Sequence, residues 1–151
     1  MFSSDLINLS LEVNDKESAI EDLSNLLYAN GYVKESFLSG VLEREIKYPT
    51  GLKTISGGFA IPHTDTIHVE KTAVAVARLN RPVFFFEMGG APENKVEVDL
   101  IFMLAIHDPD DVMPILQRII KIIQDQTITS QIKQCQSTIE CAKILNESYA
   151  G

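Results

Sequence analysis

The stretch "VEVDLIFMLAI", residues 96–106, constrains the fold of this chain more than any other. Its first half alternates apolar and polar residues, and its second half, Leu100 to Ile106, is apolar without a break. That run is far too short to cross a bilayer as a helix, which takes roughly 20 residues. A strand that is apolar at consecutive positions has apolar surroundings on both faces. The chain must therefore build a sheet and cover it on two sides.

The covering material lies at both ends of the chain. "INLSLEV" alternates like a half-buried strand, and "NDKESAIEDLSNLLYANG" then carries apolar residues at Ile20, Leu23, Leu26 and Leu27. Asn14, three residues before Glu17, has the spacing of a capping box, and Gly31 is the stop. A second helix is expected from about Glu35 to Lys47, with Phe37, Leu38, Val41, Leu42 and Ile46 inward, halted by "YPTG". Past the long strand, Asp110 or Asp111 is placed to cap "VMPILQRIIKIIQ", whose Pro114 falls in the first turn. Thr127 and Ser137 are the expected caps of two closing helices, "ITSQIKQC" and "TIECAKILNESYA".

Between these helices a glycine-punctuated link leads into "GFAI", "TAVAVARL" and "PVFFF", three further strand candidates. The reading is α/β: residues 1–151 form a single domain, a mixed central β-sheet flanked by helices on both faces. The length suits one domain with a proper core, and 45% hydrophobic against 23% charged residues is an ordinary globular balance.

A formal charge of -8 excludes a sequence-independent nucleic-acid binder, which would need clustered Lys and Arg to displace counterions. "MFSSDLINLSLEV" lacks the basic start and apolar centre of a signal peptide, so a cytoplasmic protein without direct membrane insertion is expected. Cys135 and Cys141, six apart in a helical segment, form no CxxC pair and are read as reduced, half-buried residues.

The chemistry concentrates in "GGFAIPHTDTIHVEK", residues 57–71. Pro62 denies the strand a donor, so the chain leaves the sheet there and presents His63 at its edge. With an unperturbed pKa near ~6.5 such an imidazole is mostly neutral at neutral pH and can serve as nucleophile, base or ligand. His68 follows five residues later, and His107 opens the loop after the longest strand. The spacing of His63 and His68 fits no familiar zinc pattern, and Asp65, Asp108, Asp110 and Asp111 suffice as turn and cap residues, so neither a metal nor a cofactor is expected. A metal-dependent hydrolase stands as a weaker alternative.

These residues carry a resemblance. With "REIKYPTG" before it and "AVAVARLNRPVFF" and "LIFMLAIHDPDDVMPILQRIIKII" after it, "FAIPHTDTIH" is similar to the enzyme IIA component of the fructose/mannitol superfamily of the bacterial phosphoenolpyruvate-dependent sugar phosphotransferase system, the EIIA type-2 domain. The "ERE...YPTG" segment and the AIPH...IH pattern look most like the galactitol-type branch, and the resemblance spans roughly residues 5–147. It implies a phosphoryl relay, from the carrier HPr to the imidazole of the A-I-P-H motif and on to a cysteine of enzyme IIB, with a membrane IIC component served indirectly.

On that resemblance His63 is the phosphorylated nucleophile, taking the group at Nε2 while Nδ1–H is held by a backbone carbonyl or a side chain. Arg44 is the expected grip on the phosphoryl oxygens, with a salt bridge to Glu43 or Glu45 as its other reading. Thr64 is a further candidate donor, and His68 a possible second imidazole or orienter of His63. Mannitol- and fructose-like members carry a second active-site histidine near what are Val112 and Met113 here, so either His68 or His107 substitutes or the second imidazole is dispensable. A regulatory module of the same fold, whose phosphorylation is read by a binding partner, shares the same motif.

Overall fold

The computed structural model describes residues 1–91 and 93–151. Five strands, β1 (Ile7–Leu11), β2 (Gly51–Thr54), β3 (Gly57–Ala60), β4 (Ala73–Phe86) and β5 (Lys95–Ala105), form one sheet in the order β1-β4-β5-β3-β2. β1 runs parallel to β4 and β3 parallel to β5, while β4–β5 and β2–β3 are antiparallel, so the sheet is mixed. Among the described residues no helix is long and apolar enough to cross a membrane.

The apolar run of β5 has the two-sided burial its composition demands. Ile101, Met103 and Ala105 join the core on one face, together with Ile20, Leu23 and Leu27 of α1 (Lys16–Ala29) and Phe37 and Val41 of α2 (Phe37–Lys47). Leu100, Phe102 and Leu104 join the core on the other, against α3 (Val112–Gln124), α4 (Gln126–Gln134) and α5 (Thr138–Ala150). Alternating side chains of one strand thus feed two cores, and two helices cover one face while three cover the other.

Several local expectations are corrected. The glycine-punctuated link contains β2, which pairs with β3 from Gly51↔Ala60 to Thr54↔Gly57. "TAVAVARL" and "PVFFF" are one strand, β4, and Pro82 is tolerated because the pairing with β5 breaks register between Arg78 and Val83, where a missing N–H leaves no gap in the ladder. Asp15, not Asn14, caps α1 through Ser18 N–H at 2.7 Å, and Asp125, not Thr127, caps α4 through Thr127 N–H and Ile128 N–H. Asp111 occupies the cap position of α3 without a side-chain bond, whereas Asp108 caps the preceding 3-10 turn. Ser137 caps α5 as expected. Both cysteines are free and fully buried.

The correction that bears most on function lies in α2. Ile46, expected inward, is 79% exposed, and Glu45 is 4% exposed instead. Phe37, Val41 and Glu45 recur every four residues and share the buried face, so a carboxylate sits where the pattern calls for a hydrocarbon.

Candidate active site

β3 ends at Ala60, and Ile61 and Pro62 carry the chain out of the sheet to His63. The double glycine explains how so short a strand is seated. Gly57, at the β2–β3 turn, has φ +126°, and a Cβ on Gly58 would collide with the carbonyl of Glu97 in β5. Leu104 N–H donates to the Pro62 carbonyl at 3.0 Å, so the β5 neighbour follows the departing chain as far as the proline.

His63 is half-buried, and its Nδ1 lies 2.8 Å from the carbonyl oxygen of Ile61. A carbonyl only accepts, so Nδ1 carries the proton and donates it, which leaves the lone pair on Nε2. Burial holds the imidazole pKa below its ordinary value, and the Arg44 guanidinium pushes the same way, while the Ile61 carbonyl and the Asp65 carboxylate oppose. The neutral, Nε2-nucleophilic ring is thus the favoured form at neutral pH.

Arg44, on α2, is not ion-paired with Glu43 or Glu45. Its guanidinium stacks over the Tyr48 ring at 5.1 Å, and its buried Nε has no hydrogen-bond partner among the described residues. Glu43, a residue away on the helix, points about 100° away from it. Arg44 shares an open cleft of about 190 Å³ with Gly40, Glu43, Lys47, Tyr48, Thr64, Asp65 and His68.

His68 closes a 3-10 turn, Thr66–His68, and its Nδ1 stands 2.7 Å from Ser36 Oγ. Its other edge rests on α2 at Gly40. His107 lies elsewhere along the same end of the sheet: its backbone N–H donates to Thr72 Oγ1 at 3.0 Å and its Nδ1–H to the Val69 carbonyl at 3.0 Å. The cleft therefore brings His68 together with Arg44 and Thr64; His107 is not in its lining, and His63 is not either, the lining on that segment beginning at the next residue, Thr64. Val112 and Met113 open α3, and Met113 is exposed. Of the apolar residues near the histidine, Phe59 and Ile61 are core, and Ile67 is exposed. No group of three or more His, Cys, Asp or Glu side chains among the described residues is arranged to hold a metal.

Thr50 and Glu45 were not legible as part of this assembly from the sequence. Glu45 Oε2 accepts from Thr50 N–H at 2.8 Å and Oε1 from Thr50 Oγ1 at 2.9 Å, while Ile61 N–H donates to Thr50 Oγ1 at 3.3 Å. The only sequence signal was the R-E-x(3)-P-T-G spacing itself.

Residues 1–148 match the family described as "Phosphoenolpyruvate-dependent sugar phosphotransferase system, EIIA 2". The chain belongs to this family. The galactitol-specific EIIA component of Escherichia coli (strain K12) is 25% identical over 118 residues, which are 78% of this chain and 77% of that protein. A nitrogen regulatory protein of Bradyrhizobium diazoefficiens is 31% identical over 127 residues, 82% of this chain and 78% of that one. Among solved structures, the Escherichia coli complex of enzyme IIA and phosphorylated enzyme IIB for mannitol superposes with a TM-score of 0.79 at 21% identity, over 97% of this chain and 98% of that chain. EIIA domains are phosphotransfer components of the phosphotransferase system, so the chain is a phosphotransfer protein of that class.

Proposed function

We propose that this chain is a cytoplasmic phosphocarrier that accepts a phosphoryl group from phospho-HPr on His63 and passes it to a cysteine of an enzyme IIB. The observation that carries the reading is the 2.8 Å bond from His63 Nδ1 to the Ile61 carbonyl, which leaves Nε2 as the free nucleophile. In the first step the Nε2 lone pair attacks phosphorus as the bond to the HPr imidazole breaks. In the second the P–Nε2 bond breaks as a thiolate attacks, and the ring returns to its neutral Nδ1–H form. Such a loose transfer asks mainly for alignment and for donors to the equatorial oxygens. Arg44, which among the described residues makes no ion pair and whose Nε has no hydrogen-bond partner, is suited to supply them, and Thr64 and His68 line the same cleft.

Kinship with the galactitol-specific component supports a role in uptake of galactitol or a related hexitol. A second reading, a phosphorylation-sensing regulatory module that binds a partner, draws on the higher identity to the nitrogen regulatory protein. Intact-mass spectrometry after incubation with phosphoenolpyruvate, enzyme I and HPr tests the shared first step. One acid-labile phosphoryl group, absent from His63→Gln, is expected; an unmodified wild type beside active HPr would remove the reading. Onward transfer to a IIB cysteine separates transport from regulation.

A further inference from the structure

The buried Glu45 has no part in the chemistry above, and its surroundings explain its place. A lone buried carboxylate is costly unless every lone pair finds a donor. Here no cation lies within ion-pair distance among the described residues, and both oxygens are committed to one residue, Thr50. Thr50 immediately precedes β2, and Ile61 immediately follows β3, so the two meet where the backbone ladder between those strands stops. At that point the Thr50 hydroxyl takes the place of the next ladder carbonyl and receives Ile61 N–H. Because Thr50 Oγ1–H donates to Glu45, its lone pairs are turned toward Ile61.

We propose that Glu45 is a positioning residue of the phosphoryl-transfer site: through the Thr50 hydroxyl it fixes the backbone of Ile61, whose carbonyl holds His63 in the Nδ1–H tautomer. This rests on the assignment of His63 as the nucleophile. The chain Glu45–Thr50–Ile61–His63 runs from the buried face of α2 to the exit of β3 through bonds of 2.9, 3.3 and 2.8 Å. A glutamine at position 45 accepts through one atom only and turns an N–H₂ toward a donor, so it does not reproduce the pair of acceptors.

The test uses the full chain, labelled with 15N at histidine, in wild type, Thr50→Val, Thr50→Ser and Glu45→Gln. Long-range 1H–15N spectra read the His63 tautomer directly, and single-turnover labelling by phospho-HPr reads the rate. In folded Thr50→Val and Glu45→Gln the His63 signals are expected to move toward a mixture of tautomers and the rate to fall about tenfold, the scale of one ordinary hydrogen bond, with Thr50→Ser restoring both. Should Thr50→Val fail to fold, Glu45→Gln and Thr50→Ser carry the comparison. A His63 that stays wholly Nδ1–H in every folded variant overturns the proposal, even if the rate falls. The spectra need no phosphoryl donor, so a wild type that is never phosphorylated would refute the nucleophile assignment while leaving the tautomer result to be judged separately.

Discussion

The imidazole of His68 rests on α2 at Gly40: a Cβ there would stand 3.1 Å from its Cδ2, 3.2 Å from its Nε2 and 2.7 Å from Thr64 Oγ1. A glycine inside a helix costs roughly 1 kcal/mol against alanine, so the close approach of these two side chains gives its presence a packing reason. Gly40→Ala is expected to leave thermal stability within about 1 kcal/mol of wild type, because the helical gain offsets the crowding. Phosphoryl acceptance should nevertheless slow several-fold, as Thr64 and His68 are pushed out of the cleft. Equal rates for variant and wild type would show that the cleft edge has no part in transfer.

Arg44 separates charge from geometry. Since it makes no ion pair among the described residues, removing it should cost little stability. If its fork holds phosphoryl oxygens, Arg44→Ala loses a charge-assisted interaction of about 1.5–3 kcal/mol, or roughly 10- to 100-fold in rate. Arg44→Lys keeps the charge without the planar fork and should recover only part of that loss. Single-turnover transfer beside a urea titration reads both quantities; a full recovery by lysine would reduce Arg44 to a point charge.

Much of this was legible in the sequence because periodicity is a direct record of burial. The two-sided core of β5 and the amphipathic α1 follow from apolar spacing alone, and the proline after β3 marks where His63 must emerge. What was hidden depends on contacts between distant segments. β2 has four residues, two of them polar and one a glycine, too few to show a period, and it is defined by its pairing with β3. In α2 a hydropathy pattern selects Ile46 over Glu45, since nothing local announces that Thr50 will bring two donors to a buried carboxylate. Adjacent acidic residues likewise suggested an ion pair for Arg44, but neighbours along a helix point apart. Which of His68 and His107 shares a cleft with Arg44 was set by the fold of the 64–69 segment against α2.

The two perturbed groups on this path act oppositely on stability as pH changes. Burial raises the Glu45 pKa from 4.5 to about 7, against the opposing bonds from Thr50 and the charges of Lys16 and Arg44. Between those values the folded chain binds more protons than the unfolded chain, so this contribution is fully present below pH 4.5 and is lost as pH rises through about 7, by roughly 3 kcal/mol. His63 has its pKa lowered from 6.5, so below that pH the unfolded chain takes up protons first and stability falls as pH falls. Urea titrations from pH 4.5 to 8 should show that Glu45→Gln removes the loss of stability on approaching neutrality, whatever its absolute stability, and that His63→Gln removes the opposing slope at the acidic end. An unchanged slope in Glu45→Gln would mean that the carboxylate titrates as an exposed one does.

Arg78 supplies the control for all of these. It lies on β4, where Nε donates to the Leu9 carbonyl at 3.0 Å, and Nη1 reaches the carbonyls of Ile132, Lys133 and Cys135 at 3.0, 3.1 and 2.9 Å. The last three lie at the carboxyl end of α4, where the Ile132 carbonyl also accepts from the Cys135 thiol at 3.2 Å, so one guanidinium serves the helix terminus, complements its dipole and ties it to β1 and β4. Arg78→Ala takes the charged donor from these part-buried carbonyls, of which Ile132 keeps the Cys135 thiol, and is expected to destabilise the protein by about 3 kcal/mol. Because α4 covers the face of the sheet opposite α2, the variant should keep its rate of phosphoryl acceptance per folded molecule. Chemical denaturation together with active-site titration by phospho-HPr checks the pair of outcomes. A large loss of stability with an unchanged rate would show that the transfer site is held by the α2 side of the fold alone; a parallel loss of rate would mean that the far layer of helices also sets the exit of β3.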